Sequence, residues 1–160
     1  MLRGRSLLPH VTHQQDVFVW SQLLNMEHHA SCEVLRQYYY TSVGGDETAR
    51  AAVHESLRAL GIEAPRVFPK RKDRGSKRVD ISLAVDMLSH GYRRNYDMAV
   101  LVAGDEDYVP LVEAVASAGC RVALWFLEDG LSLALERAVD HSYDLGSGVL
   151  FRENAERYFP

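Results

Sequence analysis

The segment Asp97–Tyr108, with the sequence DMAVLVAGDEDY, decides the fold class. Its first half is a nearly continuous apolar run, typical of strands that are buried on both faces of a parallel sheet. Gly104 then permits an abrupt turn, and the acidic residues Asp105, Glu106 and Asp107 follow directly. In open α/β sheets the ligands bind at the carboxyl ends of the strands, so this acidic turn is the first candidate for a functional site.

The sequence on both sides of this segment alternates between strand and helix patterns. Runs of β-branched and aromatic residues predict strands, and apolar residues at helical spacing between cap and stop residues predict helices. The predicted strands are Val34–Thr41, Ile62–Phe68, Asp97–Ala103 and Arg121–Leu127, and the predicted helices are Asp46–Leu60, Val79–His90, Asp107–Ala118 and Leu131–Ala138. This alternation predicts a three-layer α/β fold with a mostly parallel sheet flanked by helices. Beyond Ser142 the pattern predicts no particular element.

Composition agrees with a single globular domain spanning residues 1–160. The 160 residues are 47% hydrophobic and 25% charged, which excludes a disordered chain and suffices for one sizeable core. The longest apolar run is far shorter than a membrane span, and the N-terminus lacks an apolar stretch of signal-peptide length. Cys32 and Cys120 are far apart in sequence, which favours a reducing compartment. We therefore expect a cytoplasmic protein without membrane contact.

Asp105 and Asp107 suggest a divalent metal site. Two carboxylates two residues apart on a tight turn suit a hard cation that prefers oxygen ligands. The alternative is structural: Asp107 would cap the next helix and Asp105 would hydrogen-bond within the turn. Spacing alone does not choose between these interpretations.

Asp80 is the third candidate carboxylate. It is expected in the first turn of its helix, where the helix dipole favours an anion, and at the same edge of the sheet as the acidic turn. Asp86 lies six residues further along and is about 120° away around the helix, so solvent is its expected environment.

The segment Lys70–Arg78 carries six cations in nine residues, although the net charge of the chain is −4. A local basic segment can hold a nucleic-acid backbone even on an acidic protein, and a solvated loop is the alternative. The candidate RNA-binding residues are Lys70, Arg71, Lys72, Arg74, Lys77 and Arg78. Arg93 and Arg94 follow one helix later and could contribute further phosphate contacts.

Ordered motifs resemble the core of the NYN domain, a branch of the PIN-like family. Tyr38–Thr41 resembles its second strand, and Ala138–Asp140 resembles the Ala-Ala-Asp stretch that follows its last regular strand. The family usually has Ser-Gly-Asp-x-Asp-Phe where this chain has Ala103–Tyr108. The other matching motifs are Lys77-x-Val79-Asp80-x-x-Leu83-x-x-Asp86, Tyr96-Asp97-x-Ala99-Val100-Leu101-Val102-x-Gly104-Asp105-x-Asp107-Tyr108-x-Pro110-Leu111 and Gly119-x-x-Val122.

This resemblance implies a PIN-like, Rossmann-like fold and a ribonuclease that depends on Mg²⁺ or Mn²⁺. It implies Asp80, Asp105 and Asp107 as the metal-binding and catalytic carboxylates. The implied partner is RNA, single-stranded or structured, and homo-oligomer formation is left open. Such carboxylates would hold one or two ions that activate a water and stabilise charge on the scissile phosphate.

One departure from the family concerns residues 1–30. The family begins with a strand that ends in Asp-Gly-x-Asn, and its Asp is a central ligand of the metal site. The best counterpart here is Asp16–Leu23, in which Trp20 replaces the Asp and Leu23 replaces the Asn. Alternatively Val17, Trp20 and Leu23 follow helical spacing and the first strand is absent.

Two functions of different classes follow from this departure. The first is the metal-dependent ribonuclease. The second is a catalytically degenerate module on the same fold that regulates or binds RNA or protein, since fold does not fix function. A phosphoacceptor domain of the receiver type fits less well, because its chemistry does not require the Gly104–Asp107 turn or the basic segment.

Overall fold

The computed structural model describes residues 11–14, 17–20, 34–70, 77–126 and 130–144. The chain forms two compact units, an N-terminal unit of Pro9–Leu83 and a C-terminal unit of Ala84–Pro160 with Met1–Leu8. The strands are β1 Val11–Gln14, β2 Val17–Trp20, β3 Tyr38–Val43, β4 Ala64–Pro69, β5 Met98–Val102, β6 Arg121–Phe126 and β7 His141–Asp144. The helices are α1 Glu47–Ala59, α2 Lys77–Tyr92, α3 Val109–Ser117 and α4 Leu133–Ala138.

The N-terminal unit contains a parallel β3–β4 pair connected by α1. Tyr38 lies opposite Ala64 and Val43 opposite Pro69. Asp46 caps α1 by accepting the N–H of Ala49 at 3.0 Å, as predicted from the sequence. The helix ends at the predicted Gly61, whose φ of 89° is readily adopted by glycine.

A small apolar core joins α1 to this sheet. Its buried members are Val43 on β3, Val53 and Leu57 on α1, and Ile62 on the connection to β4. Burying these side chains stabilises the unit by about 1.5–3 kcal/mol each.

The C-terminal unit contains a parallel sheet in the order β5-β6-β7. The central strand β6 is the most buried: Val122 and Leu124 are completely covered. Val112 and Val115 on α3 are also fully buried, as is Leu135 on α4. Strand β6 is continuously buried from Val122 to Leu124, as expected of the central strand of a parallel sheet, and the acidic turn follows the carboxyl end of its neighbour β5.

Most predicted elements are confirmed with shifted ends. The strand predicted at Val34–Thr41 is β3 in the structure, and it begins and ends later, at Tyr38–Val43. Residues 34–37 are not hydrogen-bonded as part of a sheet. The predicted helix Asp107–Ala118 is split into a 3-10 turn at Glu106–Tyr108 and α3. Strand β7 was not predicted. The α/β class and the parallel pairing of the main strands are confirmed.

Residues 17–20 form a strand, which agrees with the first of the two alternatives for this segment and contradicts the helical one at Val17 and Trp20. Strand β2 pairs antiparallel with β1, with Trp20 opposite Val11. Within the described parts of the chain, β2 pairs with no other strand. It therefore lacks the parallel pairing expected of a first strand that ends at the metal site. Leu23 lies outside the described residues.

Tyr96 holds the end of α2 within the C-terminal unit. Its hydroxyl donates to the Met87 carbonyl oxygen at 2.7 Å, and its backbone carbonyl lies 3.5 Å from the Cys120 sulfur. Burial, and secondarily the nearby Cys120 thiol, raise the pKa of Tyr96 to about 12. The neutral phenol is therefore favoured in the folded state.

Replacing Tyr96 with Phe should flatten the loss of stability at alkaline pH. The pKa of Tyr96 is about 12 in the folded protein against 10.0 for an ordinary tyrosine. Between these values the unfolded chain releases the proton and the folded chain keeps it, so unfolding becomes easier as pH rises. Urea unfolding at about pH 9 and about pH 11 measures the slope for both proteins. Equal slopes would contradict the burial of the phenol.

Among the described helices, none is long and apolar enough to cross a membrane.

Candidate functional site

The acidic turn at the end of β5 is held by its own first carboxylate. Asp105 caps the 3-10 turn: its Oδ1 accepts the N–H of Asp107 at 3.1 Å. Asp107 does not cap α3, because the residue in that position is Tyr108, which makes no side-chain capping bond. The structural alternative therefore applies to Asp105 and is wrong for Asp107. All three acidic side chains of the turn are exposed.

The turn is joined to the loop that precedes α4. The N–H of Ser132 donates to the Gly104 carbonyl oxygen at 2.8 Å. A Cβ at Gly104 would overlap the carbonyl oxygen of Gly130, so glycine is required by this close approach. The two loops together line an open cleft of about 590 Å³, formed by Gly104, Asp105, Glu106, Gly130, Leu131 and Ser132.

This cleft contains residues that the sequence did not reveal. Gly130 and Ser132 lie about 25 residues after Asp105 in the chain, and their place beside it comes from the parallel pairing of β5 with β6. The available signal was the strand-end rule itself, which applies to the loop after β6 as well as to the loop after β5. Ser132 is the N-cap of α4 without a side-chain capping bond, so its hydroxyl is not used by the helix.

Asp140, which follows α4 in the chain, is hydrogen-bonded to the same sheet. Its Oδ2 accepts the N–H of Val122 at 2.8 Å, at the start of β6. This contact connects the residue before β7 to the central strand. Asp140 therefore has a structural role in positioning β7.

Asp80 lies in the first turn of α2, as predicted. It belongs to the N-terminal unit, whereas Asp105 and Asp107 belong to the C-terminal unit. Asp86 is half-buried rather than fully solvated. In the described part of the chain, no three His, Cys, Asp or Glu side chains are placed to hold a metal ion together. The joint site of Asp80, Asp105 and Asp107 therefore stays a prediction from the sequence.

The described cations of the basic segment are Lys70, Lys77 and Arg78, and all three are exposed. The Arg78 guanidinium carbon lies 5.1 Å from the centre of the Phe68 ring, within range of a cation–π contact. The remaining predicted RNA-binding residues Arg71, Lys72 and Arg74 lie outside the described residues.

Arg94 has a structural role after α2. It adopts a φ of 56°, and its guanidinium donates to the Gly119 carbonyl oxygen at 3.3 Å, just beyond the end of α3. A cation at the end of a helix interacts favourably with the helix dipole. Arg93 is exposed beside it.

Comparison with a solved structure supports the fold. The chain is similar to a protein of unknown function from Vibrio parahaemolyticus, with a TM-score of 0.60 and 24% sequence identity, over 78% of this chain and 76% of that chain. At this identity the similarity concerns the fold. No curated protein matches the sequence.

Comparison with protein families identifies the chain. Residues 6–146 match the NYN domain, and this range includes β1 to β7 and both loops of the cleft. This match covers most of the 160 residues. The chain therefore belongs to the NYN domain family, a member of the PIN-like nuclease superfamily.

Proposed function

We propose that this protein is a Mg²⁺- or Mn²⁺-dependent ribonuclease that hydrolyses phosphodiester bonds in the cleft beside Asp105. The observation that carries the proposal is the Gly104–Asp107 turn. It lies at the carboxyl end of a strand in a parallel sheet, within an NYN domain, and it opens into a cleft. Ligand sites of parallel α/β sheets form at this position.

The carboxylates of the turn fit a hard divalent cation. One oxygen of Asp105 accepts the Asp107 N–H, and its Oδ2 has no hydrogen-bond partner among the described residues. Asp107 is exposed and does not cap α3. Mg²⁺ is commonly held by one or two carboxylates, with waters and substrate phosphate completing its shell. We therefore propose Asp105 and Asp107 as protein ligands of the ion, and the resemblance to the family implies Asp80 as a third.

A bound divalent ion would supply charge stabilisation and a water of lowered pKa. The protein's own contribution is to position the carboxylate ligands and the walls of the cleft. The hydrogen bond from Asp107 fixes the Asp105 carboxylate, and the Ser132–Gly104 bond fixes the opposite wall of the cleft. A volume of about 590 Å³ is within the range of small-ligand sites.

The exposed cations Lys70, Lys77 and Arg78 are proposed to bind the RNA backbone together with the basic residues Arg71, Lys72 and Arg74. Their contacts would be to phosphate and so independent of base sequence. Acidic residues alone would repel RNA, so binding of a polyanionic substrate requires cations elsewhere on the protein.

A non-catalytic module is the second candidate function. The observation in its favour is the antiparallel pairing of β2, which places Trp20 at the end of a hairpin strand. If β2 is the counterpart of the family's first strand, Trp20 stands in place of the carboxylate and the strand pairs antiparallel instead of parallel. Absence of cleavage together with retained RNA binding would support this second function.

Mn²⁺ should raise the melting temperature of the protein. A ligand that binds the folded state at ~100 times its dissociation constant stabilises that state by about 2.7 kcal/mol. For a chain of this length the shift is about 5–10 °C. Thermal melts with millimolar Mn²⁺ and with EDTA measure it.

Two variants assign this shift to the acidic turn. Asp105→Asn should abolish the shift, because it removes the charge of a proposed ligand. Asp97→Asn makes the same chemical change at an exposed residue just before β5 and should retain it. Identical melting temperatures of the wild type with metal and with EDTA would argue against a metal site.

A further inference from the structure

The cleft beside the acidic turn contains one polar side chain to which the metal chemistry gives no role. Of the six residues that line it, two are acidic, two are glycines and one is Leu131. The remaining residue is Ser132, and its hydroxyl is the single side-chain hydrogen-bond donor among the six. The lining of the cleft therefore combines two carboxylates with one neutral donor.

Ser132 is held beside the acidic turn by its backbone. Its N–H donates to the Gly104 carbonyl oxygen at 2.8 Å, and its own carbonyl oxygen accepts the N–H of Glu136 at 3.1 Å. The residue is half-buried. Both hydrogen bonds use main-chain atoms of Ser132, so they fix its position and leave its hydroxyl without a structural task.

The hydroxyl does not cap α4, although the residue lies at the N-cap. A serine in this position ordinarily accepts a backbone N–H from two or three residues later. Ser132 has the extended backbone of an N-cap, with a φ of −81° and a ψ of 127°, but it makes no such bond. The residue three positions later is the buried Leu135, so the partner that completes a capping box is also missing. The Ser132 hydroxyl therefore remains free to contact a molecule in the cleft.

The carboxylates of the turn cannot hydrogen-bond to a phosphodiester directly. An ionised carboxylate accepts hydrogen bonds and donates none, and it repels a phosphate of the same charge. A phosphate oxygen that is not bound to the metal ion consequently requires a donor from elsewhere in the cleft. Among the side chains that line the cleft, Ser132 provides that donor.

We propose that Ser132 is a substrate-binding residue whose hydroxyl donates a hydrogen bond to a non-bridging oxygen of the scissile phosphate. The proposal rests on the proposed function, since it takes a phosphodiester in this cleft as the substrate. It adds that the loop before α4 contacts the substrate directly. A neutral donor suits this place, because a Lys or Arg would form a strong charge-assisted pair with Asp105 and compete with the metal ion.

Three substitutions at Ser132 separate substrate binding from helix capping. Ser132→Ala removes the hydroxyl, Ser132→Gly removes it with a residue that N-caps accept, and Ser132→Thr keeps it. We expect Ala and Gly to lower kcat/KM for single-stranded RNA in Mn²⁺ by about 10- to 100-fold, the effect of losing a hydrogen bond to a charged group. Ser132→Thr should remain within about threefold of the wild type, because the donor is retained.

Thermal melts show whether the hydroxyl has a structural role instead. A capping hydroxyl would make Ser132→Ala less stable than Ser132→Gly, with a melting temperature lower by about 2–4 °C, and this result would overturn the proposal. The matched control is Ser117→Ala. The Ser117 hydroxyl donates to the Glu113 carbonyl oxygen at 2.8 Å within α3, and Ser117 does not line the cleft, so kcat/KM should be unchanged.

A phosphorothioate at the scissile linkage gives a readout that a structural role would not change. Sulfur in place of a non-bridging oxygen weakens the hydrogen bond which that atom accepts. For one of the two diastereomers, sulfur should therefore slow the wild type more than it slows Ser132→Ala, in which the hydrogen bond is already absent. Equal effects of sulfur on the two proteins, for both diastereomers, would overturn the proposal.

Binding of adenosine 5′-monophosphate in Mn²⁺ tests the contact without cleavage. Ser132→Ala and Ser132→Gly should weaken this binding by about 10-fold or more, and Ser132→Thr should not. Cleavage by the wild type, with kcat/KM and nucleotide affinity unchanged in Ser132→Ala, would retain the nuclease and overturn the contact. Nucleotide binding that depends on the hydroxyl, without cleavage of RNA, would contradict the nuclease and support the contact. Absence of nucleotide binding by the wild type would overturn it.

Discussion

Asp105→Asn should reduce Mn²⁺-dependent RNA cleavage by about 100-fold or more. A catalytic metal ion stabilises transition-state charge by several kcal/mol, and each ~1.4 kcal/mol is a factor of ten in rate. Folding should change little. The Asn side chain retains an oxygen that can accept the Asp107 N–H, and Asn is as good a cap as Asp.

Asp105→Asn also removes one of the three neighbouring negative charges of the acidic turn, which relieves the repulsion between its carboxylates. The melting temperature of Asp105→Asn without metal should therefore equal or exceed that of the wild type. Asp97→Asn is the control for cleavage as well, because Asp97 is an exposed Asp just before β5, at the opposite end of the strand from the acidic turn. Cleavage by Asp105→Asn at the wild-type rate would show that Asp105 is not part of the active site.

Gly104→Ala should destabilise the C-terminal unit and impair cleavage together. The new Cβ would overlap the backbone oxygen of Gly130, and a backbone atom cannot move away as a flexible side chain can. Overpacking of this kind costs about 1–3 kcal/mol. The loops must separate to relieve it, which weakens the Ser132–Gly104 hydrogen bond and changes the cleft.

Gly44→Ala is the matched control for this substitution. No atom lies within 4 Å of a Cβ built at Gly44, so Ala should be accepted there without loss of stability. Urea unfolding and initial cleavage rates compare the two variants. Equal stability of Gly104→Ala and Gly44→Ala would contradict the close approach of the two loops.

The sequence predicted the parts of the fold that depend on local patterns. The apolar run of β5 followed by Gly104 and Asp105 located the acidic turn, because the end of a buried strand is visible in the sequence. Asp46 and Gly61 marked the ends of α1 correctly for the same reason. Side chains alternate between the two faces along β3, and among its three consecutive tyrosines Tyr39 packs against the core.

Other features depend on contacts between distant residues. Strand β7 is short and polar in sequence. Asp140, the residue just before it, accepts a hydrogen bond from Val122 of β6. The pairing of β2 with β1 was not predicted, because a short apolar run fits a strand or a helix equally well. Ser132 lines the cleft because its N–H donates to the carbonyl oxygen of Gly104, 28 residues away in the chain. No local sequence pattern indicates this contact.

Incubation of end-labelled single-stranded RNA with the purified protein tests the central claim most directly. We expect cleavage products in Mn²⁺ or Mg²⁺, no products in EDTA, and cleavage by Asp105→Asn that is slower by about 100-fold or more in either metal. The metal dependence follows from hard carboxylate ligands at the end of β5. Intact RNA after incubation of the wild-type protein with either metal would contradict the account.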